Sequence, residues 1–149
     1  MHPLLAIAAV FLLAASGAAL ASKDLSVQEL EAQADAARLE DRPQMYMEIA
    51  QQQLTAAGES YKVGKVEQAQ EAVNDVVRCA GKARDASIQS GKKLKSTEID
   101  VRKMAAKLRD LQRTLNFEDQ APVQAAADQL ESIRSDLLSH MFGKGKGKR

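Results

Sequence analysis

The chain has 149 residues and a net charge of +1, with 45% hydrophobic and only 3% aromatic residues and no Trp. β-Branched residues nowhere alternate over a strand-length run, so a β-rich fold is excluded and an all-α one is expected. One Cys and two His leave little material for catalysis or metal binding.

Residues 1–21 open the chain. After Met-His-Pro comes an apolar run from Leu4 to Leu20 with no charged side chain, and Ala19-Leu20-Ala21 closes it. An apolar block ending in small-x-small is what a signal peptidase cuts, so 1–21 reads as a signal peptide and the protein as exported, periplasmic or secreted. The positive start of such a peptide is weak here, supplied by His2 and the α-amino group. The alternative is an uncleaved anchor, since residues 3–21 barely reach the length that spans a bilayer as a helix. Ser22 and Lys23 follow the cut, so no cysteine stands there for a lipid anchor.

Residues 22–142 read as one domain, an antiparallel bundle of four to five helices. Ser26-Val-Gln-Glu29 is a capping box. It opens a first helix with the stripe Val27, Leu30, Ala34 and Ala37, ending near Glu40. Asp41 can cap the second helix and Pro43 fits its first turn. That helix carries Tyr46, Ile49, Ala50, Leu54, Ala57 and Tyr61 on one face. Gly64 ends it. Val66, Ala69, Val73, Val76 and Ala80 mark a third helix.

Two readings stand at Ser90-Gly91. Gly91 with Lys92-Lys93-Leu94-Lys95 resembles a helix end. Yet Ile88, Gly91, Leu94, Thr97, Val101, Met104, Leu108, Leu111 and Leu115 keep one register, which fits a single helix over 66–115, roughly 75 Å long. Asn116 to Gln120 is a connection, with Asp119 as cap and Pro122 in a first turn. The last helix turns Val123, Ala126, Ala127, Leu130, Ile133, Leu137 and Met141 inward. The short connection makes it an antiparallel hairpin with the preceding segment.

Charge is sorted along the chain. Residues 22–81 carry six basic and eleven acidic side chains, residues 82–113 ten and four, and residues 114–142 one and five. Either a basic stretch lies between acidic ones and is neutralised within the bundle, or it presents a basic surface to an anionic partner. Residues 143–149, Gly-Lys-Gly-Lys-Gly-Lys-Arg, form a basic tail, disordered by composition. The candidate contacts for an anionic partner are Lys92, Lys93 and Lys95 with Lys144, Lys146, Lys148 and Arg149. Such a patch suits anionic lipid or polysaccharide nonspecifically, and no specific nucleic-acid partner is expected.

Tyr61-Lys-Val-Gly64-Lys-Val-Glu-Gln-Ala69-Gln-Glu-Ala-Val73 resembles the turn of a tetratricopeptide helical hairpin. Gly64, Ala69 and Val73 match that family's spacing, near residues 46–79. Gln53, Ala56 and Ala57 stand where its aromatic and Leu-Gly belong, and no second copy follows at the family's period. The resemblance implies a hairpin of that shape. The mature chain also looks like small exported bacterial helical proteins with no assigned role, through the segment from Arg102 to Pro122. Stress-type periplasmic helical chaperones are similar in size, but Leu54-Thr55 is followed by Ala-Ala-Gly where their Leu-Thr-x-x-Gln would stand.

No nucleophile, base and orienting group share a motif, and there is no Gly-rich phosphate loop. The chain is read as a non-enzyme without cofactor. Haem held by Met and His, as in some exported four-helix proteins, would have to use Met45, Met47 and His140. Cys79 reads either as a small buried hydrophobe or as the thiol of an intermolecular disulfide. The expectation is an exported helical protein acting through protein–protein contacts, with a homo-oligomer open. The alternative is an envelope-surface binder of anionic polymer or lipid through 82–113 and the tail.

Overall fold

Two glycine turns and two short linkers divide the domain into helices. The computed structural model describes residues 25–143. It contains α1 (Val27–Ala36), α2 (Arg42–Lys62), α3 (Val66–Ser90), α4 (Leu94–Thr114) and α5 (Phe117–Phe142), with no strand among the described residues. The expected signal peptide and the tail cations Lys144, Lys146, Lys148 and Arg149 lie outside the described residues.

Ser26 caps α1 by accepting from the Glu29 amide at 3.2 Å. The helix stops at Ala36, four residues before the expected end. Ala37 is extended, and its carbonyl accepts from Arg42 Nε at 2.9 Å instead of from a helical amide. Asp41 does not cap α2 with its side chain; its carboxylate lies 4.0 Å from Arg38 Nε.

Gly64 takes φ +75° and turns the chain from α2 into α3. The Lys65 amide reaches back to the Ser60 carbonyl at 2.9 Å and the Gly64 amide to Tyr61 at 3.1 Å, which ties off the open carbonyls of α2. The result is an antiparallel hairpin over 42–90.

The single 66–115 helix is not formed. Gly91 takes φ +68°, and its amide bonds Ser87 at 2.9 Å. Lys93 is also left-handed, at φ +64°, a conformation that costs a residue with a side chain about 1–2 kcal/mol. Two left-handed residues cannot sit inside an α-helix. Across the turn, the buried Ser87 and Thr97 hydroxyls pair at 2.9 Å. The α5 start also differs from expectation. The helix begins at Phe117, so Pro122 sits past its first turn. Glu118, whose carbonyl then loses its helical donor, is exposed to water.

The second hairpin, α4 with α5, is antiparallel to itself in the same way. Glu98 meets Arg134, Arg109 meets Glu131, and Gln112 meets Gln124. The hairpins lie side by side. The start of α2 faces the start of α4 across Gln44, Met47, Asp100 and Met104, and their ends meet at Tyr61 and Leu115. Arg84 on α3 bonds Asp136 on α5 at 3.1 Å. Thus α2 runs parallel to α4, and α3 to α5.

The hairpins are near-copies in dimension: 21 and 25 residues against 21 and 26. The buried Tyr46, Met47, Ala50, Leu54 and Ala57 recur at one constant offset as Thr97, Glu98, Val101, Ala105 and Leu108. Val73, Val76, Ala80, Ala83 and Ser87 recur as Val123, Ala126, Leu130, Ile133 and Leu137 at an offset one residue shorter. That one residue is the difference between the turns at 63–65 and 115–116. The core is mostly Ala, Val, Leu and Ile, with Tyr46, Met47, Cys79 and Met104 among them, and its many alanines let helix backbones approach closely.

Candidate functional site

The parallel pairing puts unlike surfaces at the two ends of the bundle. One end holds the turns 63–65 and 115–116. The other holds the 91–93 turn and Gly143, where the chain leaves the described region.

The first end is apolar. Phe117 is 88% exposed and Val63 is 67% exposed. Beside them α2 and α4 part into a cleft of about 460 Å³, walled by Gly58, Tyr61, Leu111 and Leu115 and edged by Lys62 and Asp110. Gly58 opens the α2 wall, since a Cβ there would meet nothing within 4 Å. The Tyr61 hydroxyl is inaccessible and has no hydrogen-bond partner in the structure. Burial, with Asp119 nearby, raises its pKa. Large exposed apolar groups beside an open cleft are the usual mark of a contact surface. The sequence placed Phe117 in a connection and missed this end. The available signal was that Val63 falls in a turn and Phe117 at a helix start, both off the inward stripes of the helices.

The second end is basic. Lys92, Lys93 and Lys95 are exposed and make no ion pair among the described residues. Phe142, 73% exposed, closes α5 at the same end. Three more cations, Arg102, Lys103 and Lys107, are exposed along α4 without an ion-pair partner among the described residues. The rest of the basic stretch is used internally. Lys82 bonds Glu31 and Asp35, Arg84 bonds Asp136, and Arg109 bonds Glu131. The 82–113 stretch is therefore not one basic face. Part neutralises acidic helices and part remains for solvent.

A third cluster holds α1 to the bundle. Glu31 Oε1 accepts from Arg78, with Nε at 3.1 Å, and Oε2 lies 3.2 Å from Lys82. Lys82 also reaches Asp35 at 3.2 Å and lies 5.4 Å from the centre of the Tyr46 ring. Tyr46 donates to Asp35. Burial would raise the Glu31 carboxyl, but hydrogen bonds from Arg78 and Lys82 outweigh it and hold it below the ordinary value. The Tyr46 hydrogen bond does the same for Asp35. Cys79 lies beneath, fully buried, with Sγ 3.5 Å from Glu31 Oε1. Burial and the neighbouring carboxylate push its thiol up to about 12. It is a protonated, enclosed thiol, and a disulfide to another chain would require α1 to move.

Met47 is buried in the core and Met45 packs at its edge, while His140 is exposed on the last turn of α5. The three are not brought together as a haem site. Among the described residues no group of His, Cys, Asp and Glu could hold a metal ion, and no helix is long and apolar enough to cross a membrane. Neither protein-family models, nor characterised proteins, nor solved structures give a match to this chain. The tetratricopeptide resemblance therefore rests on Gly64, Ala69 and Val73 alone.

Proposed function

We propose that this is an exported, non-enzymatic helical protein that works by binding another protein at its apolar end. The observation that carries this reading is the exposure of Phe117 and Val63 beside the α2/α4 cleft. Burying one aromatic side chain removes roughly 150–250 Å² from water, and such groups dominate interface energies. A bundle whose core is otherwise closed gains nothing in folding from leaving Phe117 uncovered.

A photoreactive amino acid at position 117, introduced in the producing cell, tests the reading. It should give a discrete cross-linked product, and the same group at position 103 on the α4 outer face should not. Equal labelling from both positions, or none from 117, sinks it. Export has its own test. Envelope-fraction protein should begin at Ser22, and an intact Met1 would favour the uncleaved anchor.

A second reading keeps the basic end as an attachment point for anionic lipid or polysaccharide. Its support is the unpaired exposure of Lys92, Lys93 and Lys95 on the end from which the chain continues into Lys144, Lys146, Lys148 and Arg149. Salt separates the readings: an apolar protein contact tolerates about 0.5 M salt, and attachment to a polyanion does not.

A further inference from the structure

We infer that the basic end docks end-on against an anionic lipid bilayer, with Phe142 entering the headgroup layer and Lys92, Lys93 and Lys95 pairing with lipid phosphates around it. This rests on reading the basic end as an attachment point and names lipid, rather than polysaccharide, as its partner.

An apolar group and unpaired cations meet at this end. Hydrogen bonds between Glu98 and Arg134 and between Gln112 and Gln124 fix the antiparallel register of α4 and α5. That register brings Phe142, the last residue of α5, to the start of α4 beside the 91–93 turn. The ring is exposed there, and the three lysines are exposed without an ion pair among the described residues. The nearby carboxylates do not cancel them. Glu40 and Asp41, in the linker that leads into α2, both face Arg38. Asp100, about two turns into α4, shares a crevice with Lys93 and forms no ion pair with it. In the sequence Lys144, Lys146, Lys148 and Arg149 follow directly, all of the same sign.

Cations alone suit any polyanion, and Phe142 makes the choice. A ring that stacks on a sugar needs polar side chains placed beside it to bond the hydroxyls. Beside Phe142 stand Met141, Gly143 and the lysines. A bilayer offers phosphates at its surface and an apolar layer just beneath, which is where aromatic rings settle. Lysine stems can lie along that layer while their ammonium groups stay with the phosphates. Stable attachment takes two such signals, an apolar insertion and a basic patch. Lys93 adds to the case. It holds φ +64°, so the turn keeps a cation where glycine would sit without strain. Docked in this way, the bundle points Phe117 away from the bilayer and leaves the apolar end open to a protein.

The chain has no Trp, so Phe142→Trp supplies a single reporter. Mixed with vesicles of phosphatidylglycerol and phosphatidylcholine, the variant should shift its emission to the blue and be quenched by lipid brominated on its acyl chains. Vesicles of phosphatidylcholine alone, or dextran sulfate as a polymer without an apolar layer, should produce neither change. Phe117→Trp, at the far end, should not respond. Phe142→Ser should weaken binding to the acidic vesicles at least about tenfold, by the same factor at about 50 and about 200 mM salt. The loss from changing Lys92, Lys93 and Lys95 together to Ser should shrink between those salts. Phe142 is exposed, so melting temperature should hold. Arg102, Lys103 and Lys107 begin about 13 Å along α4 from Lys93, beyond the screening length. Changing all three to Ser should weaken binding less than about threefold.

Vesicle binding with no response from Phe142→Trp, no loss from Phe142→Ser, or an equal loss from the α4 side cations overturns the inference and leaves the basic end as a purely electrostatic contact. A response to dextran sulfate equal to that to vesicles does the same. Absence of binding to acidic vesicles overturns it too, and with no binding to dextran sulfate either, the second reading falls with it.

Discussion

Glu31 on α1 and Arg78 on α3 are 47 positions apart in the chain and meet in a part-buried hydrogen-bonded ion pair. That pair, with Lys82, is the main polar tie between a short helix and the bundle, and it lies directly over Cys79. Apart from it α1 contributes Ala34 to the core, with Val27 and Leu30 packed at the margin.

Replacing Glu31 should therefore release α1 more than it damages the rest. Glu31→Ala leaves Arg78 and Lys82 without their shared acceptor and should cost about 1–3 kcal/mol in urea unfolding. The sharper readout is Cys79. Its reaction with a thiol-specific disulfide reagent should be slow in the native protein and at least about tenfold faster in the variant. An unchanged rate would mean that α1 does not cover the thiol.

The same cluster sets an acid response. The ordinary values for Glu31 and Asp35 are 4.5 and 3.8, and both are lowered in the folded protein. When pH falls below those values the unfolded chain takes up protons first, so stability declines. The contribution is complete above the ordinary carboxylate values and is lost as pH falls through the lower folded ones. Thiol exposure, followed with a reagent active in acid, should rise over that window before the far-UV helix signal falls. Simultaneous loss of both would mean that α1 leaves only with global unfolding.

The α3–α4 break can be tested through its hydroxyl pair. Thr97→Val leaves the buried Ser87 hydroxyl without its partner and should cost about 1–3 kcal/mol. Adding Ser87→Ala should recover most of that loss, because no unpaired group then remains. A double variant as weak as the sum of the singles would show that the pair does not couple.

The five helices were legible because their inward residues recur at helical spacing. Ser26 and the glycines at 64 and 91 marked ends by simple backbone chemistry. The break after Ser90 was not decidable, because the apolar register runs through it. The register survives because the turn is tight, and Lys93 holds a left-handed conformation that no sequence rule assigns to lysine. The duplicated hairpin was invisible for another reason. Its corresponding positions share burial but not chemistry, as Tyr46 with Thr97 and Met47 with Glu98 show. Long-range pairs such as Arg84 with Asp136 were beyond reach, since any carboxylate at helix-surface spacing reads as solvated. For the candidate site, the sequence singled out Lys92, Lys93 and Lys95 but not the apolar end, whose parts come from three helices and the turn at Val63.

Core truncation checks the packing of the second hairpin. Leu108 and Leu130 are fully buried on facing helices, while Lys107 is exposed. Leu108→Ala and Leu130→Ala should each cost about 2–5 kcal/mol, against less than about 0.5 kcal/mol for Lys107→Ala. Equal small effects at all three positions would contradict the register.

The basic end sets stability against binding at one residue. Lys93 sits at φ +64°, where glycine is at ease and lysine is not. Lys93→Gly should stabilise the protein by about 0.5–1 kcal/mol. If the second reading holds, the same change removes a cation from the attachment surface. A cation near an anionic lipid surface is worth about 1 kcal/mol, so binding to acidic vesicles should weaken about fivefold. Changing Lys92, Lys93 and Lys95 together to Ser should weaken it on the order of a hundredfold, and the difference should vanish near 0.5 M salt, roughly. Lys65→Ser, at the apolar end, should leave vesicle binding unchanged. A Lys93→Gly protein that is more stable and binds as before would show that the strain serves the turn alone. Vesicle binding equal in all variants, or absent in the parent, would remove the basic end as a site and leave the Phe117 surface as the functional face.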